Sequence, residues 1–415
     1  MEIPRLPLVP RSINRVGAAL AAIGLEPGGF DLASLLARAR RSADLSDGAL
    51  GDASEAFERL VRSLHEDAGL STLGRFIAAG DLERLIANAL RLDDWHARHP
   101  EIGRERVSRP IFIVGQGRTG TTILHELLLQ DPANRVPLTW EADEPFPPPE
   151  RASYHSDPRI AAAQRQLDRS ESLIPDFKRI HRMGAELPQE CVRLTASVGR
   201  SLIFPAQFRV TSYTEWLLDR ASLAPAYRAH RRFLQLLQWR CPAERWVLKS
   251  PAHLWCLDAL LDEYPDACLV QTHRDPIAIL SSLTSLECVL RKMCSDEIVP
   301  QEIAREWSGW LVRAYERSVE FRERGRLPAS RIVDLHFDRF MRDPLANVRE
   351  IYAQFELELR PEVEEAMRRY IEGNPSDRDG RHRHRFADTG LDLEQERAAV
   401  RRYTDYFDVT AEKRA

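Results

Sequence analysis

The sequence predicts an α/β protein: a P-loop-like parallel sheet of about five strands flanked by helices, with an N-terminal helical region and a helical insertion. Three observations predict it. Short apolar runs alternate with stretches of helical period beyond residue 108. A glycine-rich turn follows the first of those runs. Residues 1–107 carry helical spacing and no strand-like run.

In the first region, ASLLARARR, EAFERLVRSLHEDAG and DLERLIANALRLDDWHARHP place apolar residues three and four apart. No cluster of chemically active side chains accompanies them, so residues 1–107 read as a helical cap or interface. The stretch VGAALAAIGL (16–25) follows Arg11 and Arg15 but is short and lacks a small-residue cleavage site. An N-terminal helix is expected there.

Residues 108–415 read as one domain. Its expected strands are PIFIVG (110–115), VPLTW (136–140), RWVLKS (245–250), ACLVQTH (267–273) and RIVDLHF (331–337). Helical stretches follow most of them: TTILHELLLQ, HLWCLDALLDEY, IAILSSLTSLECVLRKM and PLANVREIYAQF. Residues 145–244 interrupt this alternation with a helical insertion, expected as a substrate pocket or lid.

Composition sets limits on partners. The 415 residues hold 59 Lys and Arg against 63 Asp and Glu, a net charge of −4. That balance gives no overall pull toward nucleic acid or an anionic membrane, so any anion site must be local. No run of eighteen apolar residues suggests a membrane span. The six cysteines form no CxxC pair, and several lie in apolar runs, as buried thiols of a cytoplasmic protein do.

The turn in IFIVGQGRTGTT (111–122) admits three readings. Gly115, Gly117 and Gly120 satisfy a dinucleotide-binding GxGxxG, with Glu141 as a ribose-binding acid at the end of the next strand. Gly115 to Thr122 also fits a nucleotide triphosphatase loop, except that Thr121 stands where its lysine should be. In the third reading Arg118 supplies the cation from inside the turn. The N–H groups of Thr119, Gly120, Thr121 and Thr122 then open a helix toward one phosphate.

A second motif, QTHRDPIAILSS (271–282), separates these readings. Arg274 ends a strand, Asp275 and Pro276 suit the N-cap and first turn, and Ser282 follows in the second turn. A guanidinium and a hydroxyl there suit a second anion. HRD also begins a protein-kinase catalytic loop, but position 280 is Leu where Asn is required. Two anion sites at the carboxyl ends of parallel strands suggest a nucleoside 3′,5′-bisphosphate.

With these motifs the sequence resembles the PAPS-dependent sulfotransferases, most closely the bacterial branch with long helical insertions; PAPS is 3′-phosphoadenosine-5′-phosphosulfate. The matching stretches are RPIFIVGQGRTGTT, DPANRVPLTWE, RWVLKSPAHLWCLDALLDEYPDA, VQTHRDPIAILSSLTSL and RIVDLHFDRFMRDP, across about residues 108 to 410. The resemblance implies that the glycine loop holds the 5′-phosphosulfate and that Arg274 and Ser282 hold the 3′-phosphate. It implies no metal. Arg118 stands where many relatives have Lys. Ile123 replaces a Trp that stacks near the nucleotide in cytosolic relatives.

Sulfuryl transfer builds charge on the leaving phosphate oxygen and the sulfonyl oxygens, and needs a base for the acceptor proton. Arg118 is expected to stabilise that charge electrostatically, since a guanidinium keeps its proton. Lys249, at the end of VLKS, is expected to assist. Glu141 is the first choice of base, and relatives that sulfate tyrosine or heparan use a glutamate at a similar interval. His253 is the second choice and Glu190 a third.

Arg381, Arg383 and Arg385 form a basic loop like one that closes over the 3′-phosphate in relatives; His382 and His384 beside them are a weak metal signal. LIFPAQF and TSYTEWLL in the insertion favour a hydrophobic small molecule or lipid alcohol as acceptor. No nucleic-acid partner is expected. Two other functions stay open: a nicotinamide-dependent oxidoreductase, and a non-catalytic nucleotide-binding protein. Acceptor identity, oligomeric state and pH optimum are not written in the sequence.

Overall fold

A computed structural model describes residues 3, 5–173, 183–242, 244–374 and 384–412. Five parallel strands form one sheet: β1 (Ile111–Val114), β2 (Asn134–Arg135), β3 (Arg245–Lys249), β4 (Cys268–His273) and β5 (Ile332–His336). Their order across the sheet is β2-β3-β1-β4-β5. The chain leaves β1 for β2 on one side and later reaches β4 on the other. β1 is therefore the switch point, where open parallel sheets bind ligands at their carboxyl ends.

Alternation along each strand feeds two cores. Phe112 and Val114 of β1, with Trp246 and Leu248 of β3, pack under helices Ala224–Gln238 and Pro300–Glu323. Ile111 and Ile113, with Val247 and Val270, pack on the opposite face under helices Thr121–Leu128 and Pro344–Gln354. Successive side chains of a strand point to opposite faces, so near-continuous apolar runs result when both faces are covered.

One expected strand is corrected. Residues 136–140 do not form it: β2 is only Asn134–Arg135, and helix Thr139–Asp143 follows. The backbone after β2 bonds instead to the insertion. Thr139 N–H donates to Leu187 O at 3.0 Å, and Gln189 N–H donates to Pro137 O at 2.8 Å. A segment whose polar groups are satisfied by another partner has no need of the sheet ladder.

A third core joins helices Leu32–Ala43, Ser54–Glu66 and Thr72–Arg98 to insertion residues such as Phe204, Tyr213 and Leu217. Ser71 caps the long helix through its hydroxyl, which accepts from Gly74 N–H at 3.1 Å. That turn abuts the end of helix Pro276–Lys292 so closely that a Cβ on Gly74 would lie 1.9 Å from Cys294 O. Gly74→Ala should therefore cost about 3 kcal/mol, because backbone cannot swing aside as a side chain can. Denaturant unfolding of the variant checks this; an unchanged midpoint contradicts the packing. Among the described residues no helix is long and apolar enough to cross a membrane. None of the six cysteines forms a disulfide among the described residues, and all but Cys256 are buried.

Candidate active site

The turn after β1 is built by close approach. Gly115 has φ +135°, and a Cβ there would lie 2.2 Å from Thr272 Oγ1 and 2.7 Å from Thr272 O on β4. Only glycine lets the two strands come so near. Thr119 Oγ1 closes the turn, donating to Gln116 O at 2.6 Å and lying 2.6 Å from Thr272 Oγ1. Gly120, φ +84°, caps helix Thr121–Leu128, and the first N–H groups of that helix face the turn. Thr121 is buried and Thr122 exposed at the helix start. Gln116 Nε2 is buried without a protein partner. A buried donor left open in this way suits a bound anion.

Arg118 stands inside the turn at φ +71°. Its Nε donates to Ser282 Oγ at 3.1 Å. Burial, and next the charge of Arg274, push its guanidinium below its ordinary pKa. Arg274 Nη1 in turn donates to Arg118 O at 2.7 Å. Thus the two motifs form one cluster: loop, Arg118, Ser282 and Arg274 touch through side chain and backbone. Gly117 sits between Leu283 and Pro251, 3.6 Å and 4.0 Å from where its Cβ would be.

Arg274 carries a partner with no signal in the sequence. Its Nε and Nη2 donate to the two carboxylate oxygens of Glu412 at 2.6 Å and 3.1 Å. Glu412 N–H donates to Asp275 Oδ2 at 2.7 Å, while Asp275 Oδ1 caps helix Pro276–Lys292 through Ile277 N–H at 3.0 Å. The guanidinium lies over the Phe337 ring, 4.1 Å from its centre. A carboxylate thus occupies the fork of Arg274, as an anionic ligand could.

The third strand end supplies Lys249, which pairs with Ile113 of β1 in the parallel register. It is 3% exposed, and its Nζ is ion-paired with Glu190, whose side chain is 22% exposed. Glu190 precedes helix Cys191–Thr195 in the insertion. Sequence spacing ranks Glu190 last among the candidate bases; in the fold it is the carboxylate on Lys249.

Glu141 sits elsewhere than the sequence suggests. It belongs to helix Thr139–Asp143 and is wholly buried. Arg135 forms an ion pair with its Oε1, while Leu138 N–H and the Tyr154 hydroxyl donate to Oε2 at 3.1 Å and 2.9 Å. Wholly buried among these donors, Glu141 presents no surface to a ribose or an acceptor, which removes the support for a dinucleotide reading of the turn.

His253 lies in the 3-10 turn Pro251–Trp255 directly after Lys249 and Ser250, at 2% exposure. The Tyr227 hydroxyl is 2.7 Å from its Nδ1 and 3.2 Å from Cys256 Sγ. Its Nε2 has no protein partner. Burial, with a smaller contribution from His230, holds its pKa well below the usual histidine value, so the ring is neutral. His253, Tyr227 and Cys256 line a largely apolar cavity with Leu202, Leu217 and Leu223.

Of the basic C-terminal loop, Arg381, His382 and Arg383 lie outside the described residues. Arg385 is exposed and pairs with Asp388 at 3.3 Å. His384 Nδ1 lies 2.9 Å from Ser281 Oγ, so the loop rejoins the described fold one residue from Ser282. Ile123 is half-buried against the core under helix Pro344–Gln354.

Residues 110–361 match the sulfotransferase family. Over 257 residues the chain is 27% identical to omega-hydroxy-beta-dihydromenaquinone-9 sulfotransferases of Mycobacterium bovis and Mycobacterium tuberculosis, covering 59% of this chain. The match spans 61% of those relatives' length. A crystal structure of a Mycobacterium avium sulfotransferase superposes with a TM-score of 0.84 at 27% identity, covering 93% of this chain and 100% of that one. A second, from Mycobacterium tuberculosis H37Rv, gives 0.79 at 31% identity, covering 89% and 98%.

Proposed function

Since the chain belongs to the sulfotransferase family, we propose that it moves a sulfuryl group from PAPS to the hydroxyl of a hydrophobic small molecule or lipid alcohol. One observation carries this reading. Three cations, Arg118, Lys249 and Arg274, converge at the carboxyl ends of three neighbouring strands around a single glycine turn. The open donor of Gln116 and the carboxylate held by Arg274 support anion binding on both sides of that turn.

When bound, the donor supplies an activated sulfuryl group on a phosphate leaving group. In this reading Gly117, Arg118, Thr119, Gly120, Thr121 and Thr122 hold its 5′ end, and Arg274 and Ser282 its 3′-phosphate. Arg385 and the neighbouring Arg383 are assigned to the same phosphate. Arg118 and Lys249 offset the charge that grows on the leaving and sulfonyl oxygens. Glu141 is buried and held by Arg135, Leu138 and Tyr154, so the base is better sought in Glu190 or His253. Glu190 approaches from the insertion with its carboxylate on Lys249; His253 offers a neutral ring whose buried Nε2 has no protein partner, in a residue that lines the apolar cavity.

That cavity favours an apolar acceptor, and a relative named for a menaquinone-derived alcohol points the same way. The test is transfer of label from 35S-PAPS to a long-chain isoprenoid alcohol and, separately, to an aminosugar. Label on the alcohol and none on the sugar is expected. Label on the sugar alone would overturn the acceptor class. Tight binding of adenosine 3′,5′-bisphosphate with no transfer to either would leave a nucleotide-binding protein instead.

A further inference from the structure

Ten large apolar side chains stand exposed among the described residues, and six of them fall within residues 8–25: Leu8, Val9, Ile13, Val16, Ile23 and Leu25. A seventh, Phe76, lies beside Gly28, three residues past this stretch: a Cβ on Gly28 would be 3.4 Å from its ring. Such clustering is not the scatter of single apolar residues that every surface carries.

The arrangement follows from helix Leu8–Ala21. Val9, Ile13, Val16 and the half-buried Leu20 are spaced four, three and four residues apart, which aligns them along one face. A different face anchors the helix. Pro10, Asn14 and Gly17 are buried, Asn14 Oδ1 accepts from Leu73 N–H at 3.0 Å, and a Cβ on Gly17 would strike Thr72 at 1.9 Å. The apolar stripe is thus not needed for docking to the body of the protein, and among the described residues Val9, Ile13, Val16 and Leu20 belong to none of its apolar clusters.

Charge identifies the occupant. Arg5, Arg11 and Arg15 are all exposed, and residues 3–25 contain no acidic side chain. In a chain of net charge −4 this is a local reversal of sign. A second copy packed stripe to stripe would leave Arg11 and Arg15, on the far side of the helix, without a partner of opposite charge; an anionic lipid surface would answer both the stripe and the charge. At 14 residues the helix reaches about 21 Å, short of the roughly 30 Å of a bilayer's apolar interior. We propose that this helix lies in the surface of an anionic membrane, its apolar stripe among the lipids and its arginines at the phosphate level.

The proposal does not depend on the acceptor or the sulfuryl donor, and its test uses neither. The full chain is floated with vesicles of phosphatidylcholine alone or mixed with phosphatidylglycerol. Binding at least about tenfold stronger to the mixed vesicles is expected, from a few basic residues near an anionic surface. The Val9→Glu, Val16→Glu double variant should abolish it, and Arg11→Gln, Arg15→Gln should weaken it and its salt dependence. All four positions are solvent-exposed, so the circular dichroism spectrum and melting temperature should not change. Equal binding to both vesicles, or to neither, overturns the proposal. So does a concentration-dependent dimer, seen by light scattering, that the double variant dissociates without any vesicle binding.

Discussion

Replacing Arg118 with alanine is expected to slow sulfuryl transfer by about a hundredfold to a thousandfold, the range for removing one preorganised donor from a developing anion. The side chain spans the cluster: its Nε reaches Ser282 while its own carbonyl is held by Arg274. It therefore presents fixed charge without reorganising during the reaction. Alanine keeps the left-handed backbone at this position at a similar cost, so the fold should survive. Arg118→Lys restores the charge but not the planar fork and should recover only part of the rate. Single-turnover kinetics at saturating donor make the measurement. A rate constant unchanged in the alanine variant would remove Arg118 from the chemistry and leave it a structural link between loop and helix.

Arg274→Ala is expected to weaken adenosine 3′,5′-bisphosphate about thirtyfold while changing AMP affinity little, since it deletes a charge-assisted contact to one phosphate. The structure adds an opposing partner to this experiment. Glu412 holds the same guanidinium with both carboxylate oxygens. Glu412→Gln should strengthen bisphosphate binding, by no more than about fivefold because its side chain is 38% exposed and the pair is screened by solvent. In the double variant the benefit should vanish, because the glutamate acts only through Arg274. Calorimetric titration of the four proteins reads all of this. Tighter binding in Glu412→Gln that persists without Arg274 would refute competition at that fork.

Much of the sheet was legible because both its faces are covered. Runs such as PIFIV and ACLV are apolar at every position, without the alternation of a half-exposed strand, and a proline lies at or just before each of them. The second strand was misplaced because VPLTW has the same composition. What distinguishes it is where its backbone bonds go, to residues 187 and 189, and no local pattern encodes a partner fifty residues away. Glu141 illustrates the same limit at the site. Its position after an apolar run suggested a strand end, but Arg135, Leu138 and Tyr154 enclose it. Glu190 is a third choice from the sequence, but its pairing with Lys249 has no local signal, and Glu412 becomes visible only through its contact with Arg274 beyond β4. The glycine turn and the Arg274 motif were readable because their chemistry is local: donors, capping residues and glycines lie within a few positions of one another.

The turn after β1 also bears on how this protein could be improved. Three of its six residues, Gly115, Arg118 and Gly120, hold positive φ, and only the middle one has a side chain that resists it. An arginine there gives up roughly 1 kcal/mol that a glycine would keep. Arg118→Gly should then melt higher than the parent while losing the guanidinium. On the role proposed for Arg118, a library ranked on heat resistance would enrich that substitution and one ranked on turnover would discard it, so that robustness and catalysis would be selected in opposite directions at this position.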